Sequence, residues 1–359
     1  MNVQINSPAF FIGREGSDLI SFGSGQPDLP PPTEIFEHIN RRRLFKYGLI
    51  QGEANLRQAL AKDYPKASVD DFVITNGASE ALDLVFRALY KKFGSVKVLL
   101  GQPYYYSYPE IIQASGHQPV YTKLINGRID VNDLKRKVKS AKVVLINSPS
   151  NPTGRVESLS TLHLIEELTH KYGAYIVSDE VYKDLIYVRS NYNVKGKNVI
   201  TINSFSKTYS MCGLRIGYLY ARDSEIVAGV INLKTHTSMN TNVLGQQMAI
   251  KALAVPPAYI AKQTNIWLER RDFIYEELRA MGFSLWKPEG AFYVLPRIKN
   301  ASRVVNDLYY DYKVIVYDGA WFGEPDRIRL SYALDINKIK EGLARIQNYI
   351  SDKQDWLIS

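Results

Sequence analysis

Residues 204–218 read Ser-Phe-Ser-Lys-Thr-Tyr-Ser-Met-Cys-Gly-Leu-Arg-Ile-Gly-Tyr and follow directly on an apolar run that ends at Asn203. In this stretch Lys207 stands among hydroxyl-bearing residues, and Arg215 is the next charged residue along the chain. Most lysines are solvated surface charges. A lysine that is held partly dehydrated near a second cation, however, has a lowered pKa and can act as an amine nucleophile. The stretch therefore predicts a reactive lysine just beyond the end of a β-strand.

Short apolar runs alternate with segments of helical periodicity along most of the chain. This alternation predicts an α/β fold, with a mostly parallel sheet, helices on both faces, and ligands outside the carboxyl ends of the strands. Strands are predicted at 18–22, 72–75, 97–100, 118–122, 142–146, 174–177 and 199–203. Helices are predicted at 34–44, 80–92, 131–139, 159–171, 224–234, 244–254, 258–281 and 337–350.

Polar segments follow several of these strands and are candidates for the site. They are Asn147–Gly154, Ser178–Tyr182 and Ser204–Lys207, each directly after a predicted strand. A small-residue turn at 76–79 joins another strand to a helix, and the free N–H groups and dipole of such a helix N-terminus attract an anion. Ala78 and Ser79 would bind a phosphate there through a backbone N–H and a hydroxyl.

The combined pattern strongly resembles the class I/II aminotransferases that depend on pyridoxal phosphate, and most of all their aspartate aminotransferase subgroup. The matching motifs are S-x-S-K-x-x-x-x-x-G-x-R-x-G-Y at 204–218, Asn-Pro-Thr-Gly at 151–154, Asp-x-x-Tyr at 179–182 and Arg-Leu-Ser-x-Ala at 329–333. The resemblance implies the fold-type-I architecture of pyridoxal-phosphate-dependent transferases. In that architecture a large domain with a mostly parallel, helix-flanked sheet carries the cofactor, and a smaller α+β domain lies beside it. The implied large domain is 46–275, and residues 1–45 together with 276–359 form the small domain.

The resemblance also implies a role for each residue around the cofactor ring. Lys207 would form an imine with the cofactor aldehyde and then move the α-proton of the amino acid. Asp179 would pair with the ring nitrogen and keep it protonated, so that the ring accepts electrons. Asn151 and Tyr182 would bond the phenolic oxygen of the ring, and Tyr105 would stack on the ring face.

A second group of residues is implied for the cofactor phosphate and the substrate. The phosphate would be held by Ala78, Ser79, Ser204 and Arg215, and by Tyr47 reaching across the interface of a homodimer. Arg329 would grip the α-carboxylate of the substrate, assisted by Asn151 and the amide of Gly25. Arg327 is expected to be a surface arginine at a strand edge. Phe292 and Tyr293 are expected either to line the substrate entrance or to pack in the core.

The implied reaction is ping-pong transamination, in which an amino acid gives up its α-amino group and a 2-oxo acid takes it. Aspartate with 2-oxoglutarate is the expected pair, and aromatic, aminoadipate-like or broad donors are the alternatives. Two departures weaken dicarboxylate specificity. Ser79 stands where some members carry a lysine that reads the distal carboxylate, and Asp318 replaces the proline of the P-G-S-x-F-G loop.

Three other classes of protein share parts of this pattern. Carbon–sulfur lyases and amino-acid decarboxylases use the same fold and lysine, and they stay open as alternatives. Histidinol-phosphate aminotransferases usually carry a Gly-Ser-Asp-Glu turn, where this chain has Gly-Ala-Ser-Glu at 77–80. A transcription regulator that borrows the fold would need a DNA-binding domain ahead of the catalytic pattern, which already begins near Ser21.

Composition narrows the class of protein further. The chain has 359 residues, 45% of them apolar, and a net charge of +9 that is scattered rather than concentrated. The basic runs at 41–43 and 135–139 are expected on solvated helix faces. Cys212 is the single cysteine, no histidine spacing typical of a metal site occurs, and no membrane span or signal peptide is visible. These features favour a cytoplasmic protein without a metal, nucleic-acid or membrane partner, and the resemblance implies that its partners are amino acids and 2-oxo acids.

Overall fold

The computed structural model describes residues 5–14, 16, 18–188 and 193–353. The strands within these ranges are β1 Ile20–Ser21, β2 Phe72–Thr75, β3 Lys97–Gln102, β4 Gln118–Ile125, β5 Arg128–Ile129, β6 Val143–Asn147, β7 Tyr175–Asp179, β8 Val199–Ser204, β9 Gly217–Ala221, β10 Tyr293–Val294, β11 Val314–Ile315, β12 Tyr317–Asp318 and β13 Ile328–Ser331. The helices are α1 Ala54–Ala61, α2 Gly77–Phe93, α3 Ser107–Ala114, α4 Val131–Lys137, α5 Leu159–Lys171, α6 Ser224–His236, α7 Val243–Leu253, α8 Pro257–Ala280, α9 Ala301–Tyr310 and α10 Ile336–Asp352.

A mixed sheet with the strand order β2-β9-β8-β7-β6-β3-β4-β5 forms the centre of the molecule. Its inner strands β8, β7, β6, β3 and β4 run parallel, and β9 and β5 add antiparallel pairs towards the edges. Strands buried on both faces need apolar side chains on both faces, so they read as continuous apolar runs such as Val143–Ile146. The predicted mostly parallel α/β sheet is confirmed.

Two hydrophobic cores lie on opposite faces of this sheet. Val143 and Leu145 pack with residues of α2, α3 and α6, whereas Val144 and Ile146 pack with residues of α4 and α5. Alternate residues of a strand point to opposite faces, and so a single apolar strand contributes to both cores. The helices therefore cover both faces of the sheet and leave its strand ends free to carry the site.

The C-terminal part of the chain builds a separate core in which the N-terminal segment takes part. β10, β13 and β12 form a small antiparallel sheet, and β1 pairs in parallel with β11. Phe22, which follows β1, is fully buried, and its carbonyl accepts the N–H of Ser331 at 2.7 Å. Residues near the start of the chain are therefore tied to its C-terminal part, with α8 running between the two parts. The ends of the expected small domain, 1–4 and 354–359, lie outside the described residues.

The predicted helix at 34–44 is wrong. This segment forms only two short 3-10 helices, Thr33–Phe36 and Arg41–Arg43, separated by His38 with a left-handed φ of 49°. Ile35 is buried, but Phe36 is 65% exposed and Phe45, just beyond the segment, is 94% exposed, so only part of its apolar surface packs against the rest of the chain. Without tertiary burial a short amphipathic segment gains little from helix formation. The basic run at 41–43 is exposed, as expected, but it does not lie on a helix.

The architecture brings the polar segments to one edge of the sheet. The carboxyl ends of β6, β7 and β8 and the N-terminus of α2 meet there, and β13 approaches from the C-terminal part. Within the part of the chain that the structure describes, no helix combines the length and the apolar character that crossing a membrane requires.

Candidate active site

A cavity of about 310 Å³ lies at this edge of the sheet. Every sequence-predicted site residue except Tyr47 lines it, namely Gly25, Ala78, Ser79, Tyr105, Asn151, Asp179, Tyr182, Ser204, Lys207, Arg215 and Arg329. Tyr47 lies away from this cavity and is 84% exposed. The fold thus gathers residues that are up to 304 positions apart, Gly25 and Arg329, into one concave site.

The turn between β2 and α2 forms the floor of one end of the cavity. Gly77 opens α2 with a φ of +76°, a conformation that favours glycine. A Cβ on Gly77 would come within 2.6 Å of Nη2 of Arg215, and a Cβ on Gly217 would come within 2.5 Å of the Gly77 carbonyl carbon. The two glycines therefore let the guanidinium and the first N–H groups of α2 converge. This arrangement is a cradle for an anion.

Lys207 follows β8 and its amine points into the cavity. Nζ donates a hydrogen bond of 2.8 Å to the carbonyl oxygen of Gly25. Burial lowers the pKa of Lys207, and the positive charges of Arg329 and Arg215 lower it further, while Cys212 and Asp179 act in the opposite direction. A lysine with a depressed pKa offers a larger fraction of neutral, nucleophilic amine at neutral pH.

Asp179 lies at the carboxyl end of β7 and is 4% exposed. Its Oδ2 accepts a hydrogen bond of 2.7 Å from the hydroxyl of Tyr108, and its Oδ1 accepts the N–H of Val181 at 3.3 Å. Burial raises the pKa of Asp179 to about 6, although these hydrogen bonds and the charge of Lys207 counteract the rise. The carboxylate is therefore available to pair with a cationic or N–H group placed in the cavity.

Two phenols, those of Tyr182 and Tyr293, line the same cavity as the Lys207 amine. The hydroxyls of Tyr182 and Tyr293 lie 2.8 Å apart and share a hydrogen bond. Burial raises the pKa of both groups, so both stay neutral near pH 7. A Cβ on Gly25 would come within 2.3 Å of the Tyr293 hydroxyl, so only glycine fits at that position. Phe292 and Tyr293 were expected either to line the substrate entrance or to pack in the core. Tyr293 lines the cavity, whereas Phe292 is fully buried.

Arg329 reaches the cavity from β13. Nη1 donates to Oδ1 of Asn151 at 3.0 Å, and Nη2 donates to the carbonyl oxygen of Gly23. The guanidinium carbon lies 4.5 Å, 4.6 Å and 4.8 Å from the ring centroids of Tyr293, Tyr317 and Phe322. Its buried Nε has no hydrogen-bond partner among the described residues. A held guanidinium with spare donors suits a carboxylate ligand.

Three residues that support the site escaped prediction. Tyr108 bonds Asp179, and Tyr317 helps to enclose the guanidinium of Arg329. Asn147 donates from Nδ2 to the carbonyl oxygen of Asp179 at 3.1 Å, and its Oδ1 accepts the N–H of Asn151 at 2.8 Å. The tyrosine run at 104–108 and the first residue of Asn147–Gly154 were visible in the sequence, but their partners are distant in the chain.

Two further expectations need correction or explanation. Arg327 is not a surface arginine: it is 7% exposed, donates to the carbonyl oxygen of Leu295 and covers the ring of Trp286. Asp318, which replaces a proline, is the N-cap of a short 3-10 helix and accepts the N–H of Ala320 at 2.8 Å. This capping accounts for an aspartate at that position.

Among the residues that the structure describes, no group of three or more His, Cys, Asp or Glu side chains is placed to hold a metal ion. Cys212, the free cysteine, lines the cavity and its thiol donates to the carbonyl oxygen of Ser206. The cationic side chains of the cavity are Lys207, Arg215 and Arg329. The charges of the site thus come from these three cations and Asp179.

Comparison with known proteins identifies chains of similar sequence and structure. The family model described as aminotransferase class I and II matches residues 17–346. The chain is 32% identical to the aspartate aminotransferase of Thermotoga maritima, over 98% of this chain and 96% of that protein. It is 33% identical to the probable aspartate/prephenate aminotransferase of Aquifex aeolicus, over 97% and 95%.

The solved structures that match have the same architecture. The crystal structure of the Thermotoga maritima aspartate aminotransferase superposes with a TM-score of 0.88 at 31% identity, covering 96% of this chain and 95% of that one. The aromatic aminotransferase of Pyrococcus horikoshii gives a TM-score of 0.88 at 28% identity, covering 94% and 97%.

Proposed function

This chain belongs to the class I and II aminotransferases and is a pyridoxal-phosphate-dependent transaminase, and on that premise we propose that its cavity transfers the α-amino group of aspartate to 2-oxoglutarate. The observation that carries the proposal is the convergence of Lys207, Asp179 and Arg329 in one cavity. An amine, a carboxylate and a guanidinium are the three groups that this chemistry requires at fixed relative positions.

The residues present fit pyridoxal phosphate. In the turn at 76–79 the absence of a Cβ on Gly77 lets the Arg215 guanidinium approach the N-terminus of α2, and this pair of donors suits a phosphate. The buried carboxylate of Asp179 at the other end suits a protonated ring nitrogen. Ala78, Ser79, Ser204 and Arg215 would hold the phosphate, Asn151 and Tyr182 the phenolic oxygen, and Tyr105 one face of the ring. Lys207 would hold the cofactor covalently through Nζ.

The residues of the chain then act on the substrate in a definite order. Arg329 and the backbone of Gly25 bind the α-carboxylate and orient the amino acid, with Asn151 fixing the guanidinium. When bound, pyridoxal phosphate supplies an aldehyde that takes up the amino group and a ring that withdraws electrons. Lys207, once its amine is free, removes the α-proton at Nζ and later returns it, as general base and acid. The depressed pKa of Lys207 keeps the amine able to accept that proton.

The walls of the cavity bear on the identity of the donor. Its three cations are each assigned to the cofactor or to the α-carboxylate, so a distal carboxylate would meet neutral donors such as Ser24 and Gln26. Tyr106 and Tyr317 also line the cavity and suit an apolar or aromatic side chain. The similarity to aspartate aminotransferases supports aspartate as the main donor, and these walls support acceptance of aromatic amino acids as well.

A donor screen on the purified holoenzyme tests this function. Aspartate, glutamate, tyrosine and phenylalanine are each added without acceptor, and the loss of absorbance of the bound cofactor gives the rate of the first half-reaction. Aspartate is expected to react fastest, and turnover should require 2-oxoglutarate. None of these four donors has a carbon–sulfur bond, so cysteine is tested in parallel. Release of pyruvate from cysteine without an acceptor would instead identify a lyase, and loss of carbon dioxide from glutamate or tyrosine would identify a decarboxylase.

The assembly, domain division and location are proposed on other grounds. Phe45, Tyr47 and Leu49 are 94%, 84% and 54% exposed, which supports a second copy of the chain covering this segment and receiving Tyr47 at its phosphate site.

The pairing of β1 with β11 supports a small domain made of 1–45 and 276–359 beside a large domain of 46–275. The free state of the only cysteine supports a cytoplasmic location.

A further inference from the structure

Lys234, in the last turn of α6, has a side chain that is 0% exposed. Its Nζ lies 3.3 Å from Oε2 of Glu80 and donates to the hydroxyl of Ser238 at 3.0 Å. Lysine is almost never fully buried unless it is paired. Burial lowers the pKa of Lys234, and the charge of Glu80 counteracts this fall. Lys234 is thus a buried lysine whose ion-pair partner is Glu80.

Glu80 lies in the first turn of α2, directly after Ser79. The same Oε2 that faces Lys234 accepts the backbone N–H of Asn76 at 2.6 Å, and Oε1 accepts Nδ2 of Asn76 at 3.1 Å. Asn76 is the residue immediately before Gly77. The carboxylate of Glu80 therefore closes the turn at 76–79 from behind, while Arg215 and Gly217 confine it from the front.

This arrangement creates an electrostatic conflict. A carboxylate in the first turn of a helix interacts well with the helix dipole, but it repels an anion bound at the same N-terminus. Burial opposes ionisation of Glu80, yet the hydrogen bonds from Ser238 and Asn76 and the charge of Lys234 lower its pKa overall. Glu80 is thus ionised at neutral pH, close to the proposed phosphate site.

We propose that Glu80 and Lys234 are positioning residues for the cofactor phosphate. Lys234 neutralises Glu80, so that the carboxylate can hold Asn76 and shape the turn without repelling the phosphate. The inference rests on the proposed assignment of the turn at 76–79 as the phosphate site. Neither residue lines the cavity, so each acts through the turn and not by contact with the cofactor.

The test compares two ligands that differ only in the phosphate. The cofactor is removed from the full-length enzyme, and dissociation constants for pyridoxal phosphate and for pyridoxal are measured by absorbance titration. Lys234→Met is expected to weaken pyridoxal phosphate binding by about tenfold, or about 1.4 kcal/mol, with little change for pyridoxal. The double variant Glu80→Gln/Lys234→Met removes both charges and should recover most of the lost affinity. Glu80→Gln alone keeps an acceptor for Asn76 and should bind the phosphate form at least as tightly as the wild type.

Lys92→Met is a matched control. Lys92 also joins α2 to the start of α6, through ion pairs with Asp223 at 2.9 Å and Glu225 at 2.8 Å. It lies at the C-terminal end of α2, however, far from the turn at 76–79. The Lys92→Met variant should leave both dissociation constants unchanged. Equal losses for the two ligands in Lys234→Met, or no recovery in the double variant, would overturn the inference. If Lys234→Met does not fold, a tenfold loss of phosphate affinity in Glu80→Gln overturns it. A wild-type enzyme that binds both ligands equally would refute the phosphate assignment itself.

Discussion

The hydroxyl of Tyr108 donates a hydrogen bond of 2.7 Å to Oδ2 of Asp179, across 71 positions of sequence. Burial raises the pKa of Asp179 to about 6, and this hydrogen bond opposes the rise. The tyrosine therefore helps to keep a carboxylate ionised where little solvent is available to stabilise its charge. The tyrosine-rich run at 104–108 thus contributes to the electrostatics of the site as well as to packing.

Replacing Tyr108 by phenylalanine tests this contact through the pH dependence of the enzyme. The hydrogen bond stabilises the ionised form, so its loss should raise the pKa of Asp179 and reduce the ionised fraction at a given acidic pH. We expect the acidic limb of the kcat/KM profile to move to higher pH by about one unit. Tyr104→Phe is the control, since Tyr104 packs against Tyr121 instead. An acidic limb that stays in place in Tyr108→Phe would contradict the assignment.

Lys207→Ala should abolish turnover while pyridoxal phosphate still binds. The variant loses both the covalent hold on the cofactor and the group that moves the α-proton, so kcat should fall by more than about 10³-fold. Borohydride reduction of the wild-type holoenzyme followed by peptide mapping should label position 207. Exposed lysines such as Lys171 serve as the internal control. Near-normal transamination by the variant would refute the role.

Arg329→Lys should impair substrate binding more than it impairs cofactor binding. Lysine cannot reproduce the planar fork that Asn151 and three aromatic rings hold in place. We expect kcat/KM for the amino acid to fall by about 10- to 100-fold, mainly through KM. Arg327→Lys alters a buried arginine two residues away that faces Trp286, and it should leave KM unchanged. Equal KM changes in both variants would argue for a general distortion of β13.

Gly25→Ala should disturb the phenol pair although it adds only a methyl group. The new Cβ would lie 2.3 Å from the Tyr293 hydroxyl, so Tyr293 must move away from Tyr182. Overpacking of this kind costs about 1–3 kcal/mol, and we expect kcat/KM to fall by at least about fivefold with a lower melting temperature. Gly213→Ala points into open space and should change neither quantity. A fully active Gly25→Ala enzyme would show that the close approach is unimportant.

Mixed dimers test whether Tyr47 serves the site of the other subunit. Tyr47→Ala and Lys207→Ala are each expected to be poorly active or inactive alone. If Tyr47 crosses the interface, a hybrid of the two variants contains one site with both native residues, and mixing should restore activity towards half of the wild-type value per dimer. If Tyr47 serves its own subunit, every site in the hybrid stays defective, and mixing restores nothing.

The residues of the candidate cavity were largely predictable from the sequence because each one stands in a short motif next to a strand end. Lys207, Asp179 and Asn151 follow consecutive parallel strands of the observed sheet, so predicting the sheet was enough to expect them on one edge. The helix predicted at 34–44 does not form: its polarity pattern suggested an amphipathic helix, but the folded chain buries Ile35, leaves Phe36 exposed and interrupts the segment at His38 with a left-handed φ. The prediction that Arg327 is a surface arginine was wrong because the ring of Trp286, 41 positions away in the chain, packs against its guanidinium.

Local order in the sequence thus determined which chemical groups are present and at which strand ends they occur. The spacing of apolar and polar residues that predicts a strand or a helix extends over only a few residues, so it can be read without knowing which distant residues pack against them. The tertiary structure alone decided that Tyr108 meets Asp179, that three rings surround Arg329 and that Lys234 is buried against Glu80. These contacts join residues far apart in the chain, and their energies depend on burial, which exists only once the whole core has formed.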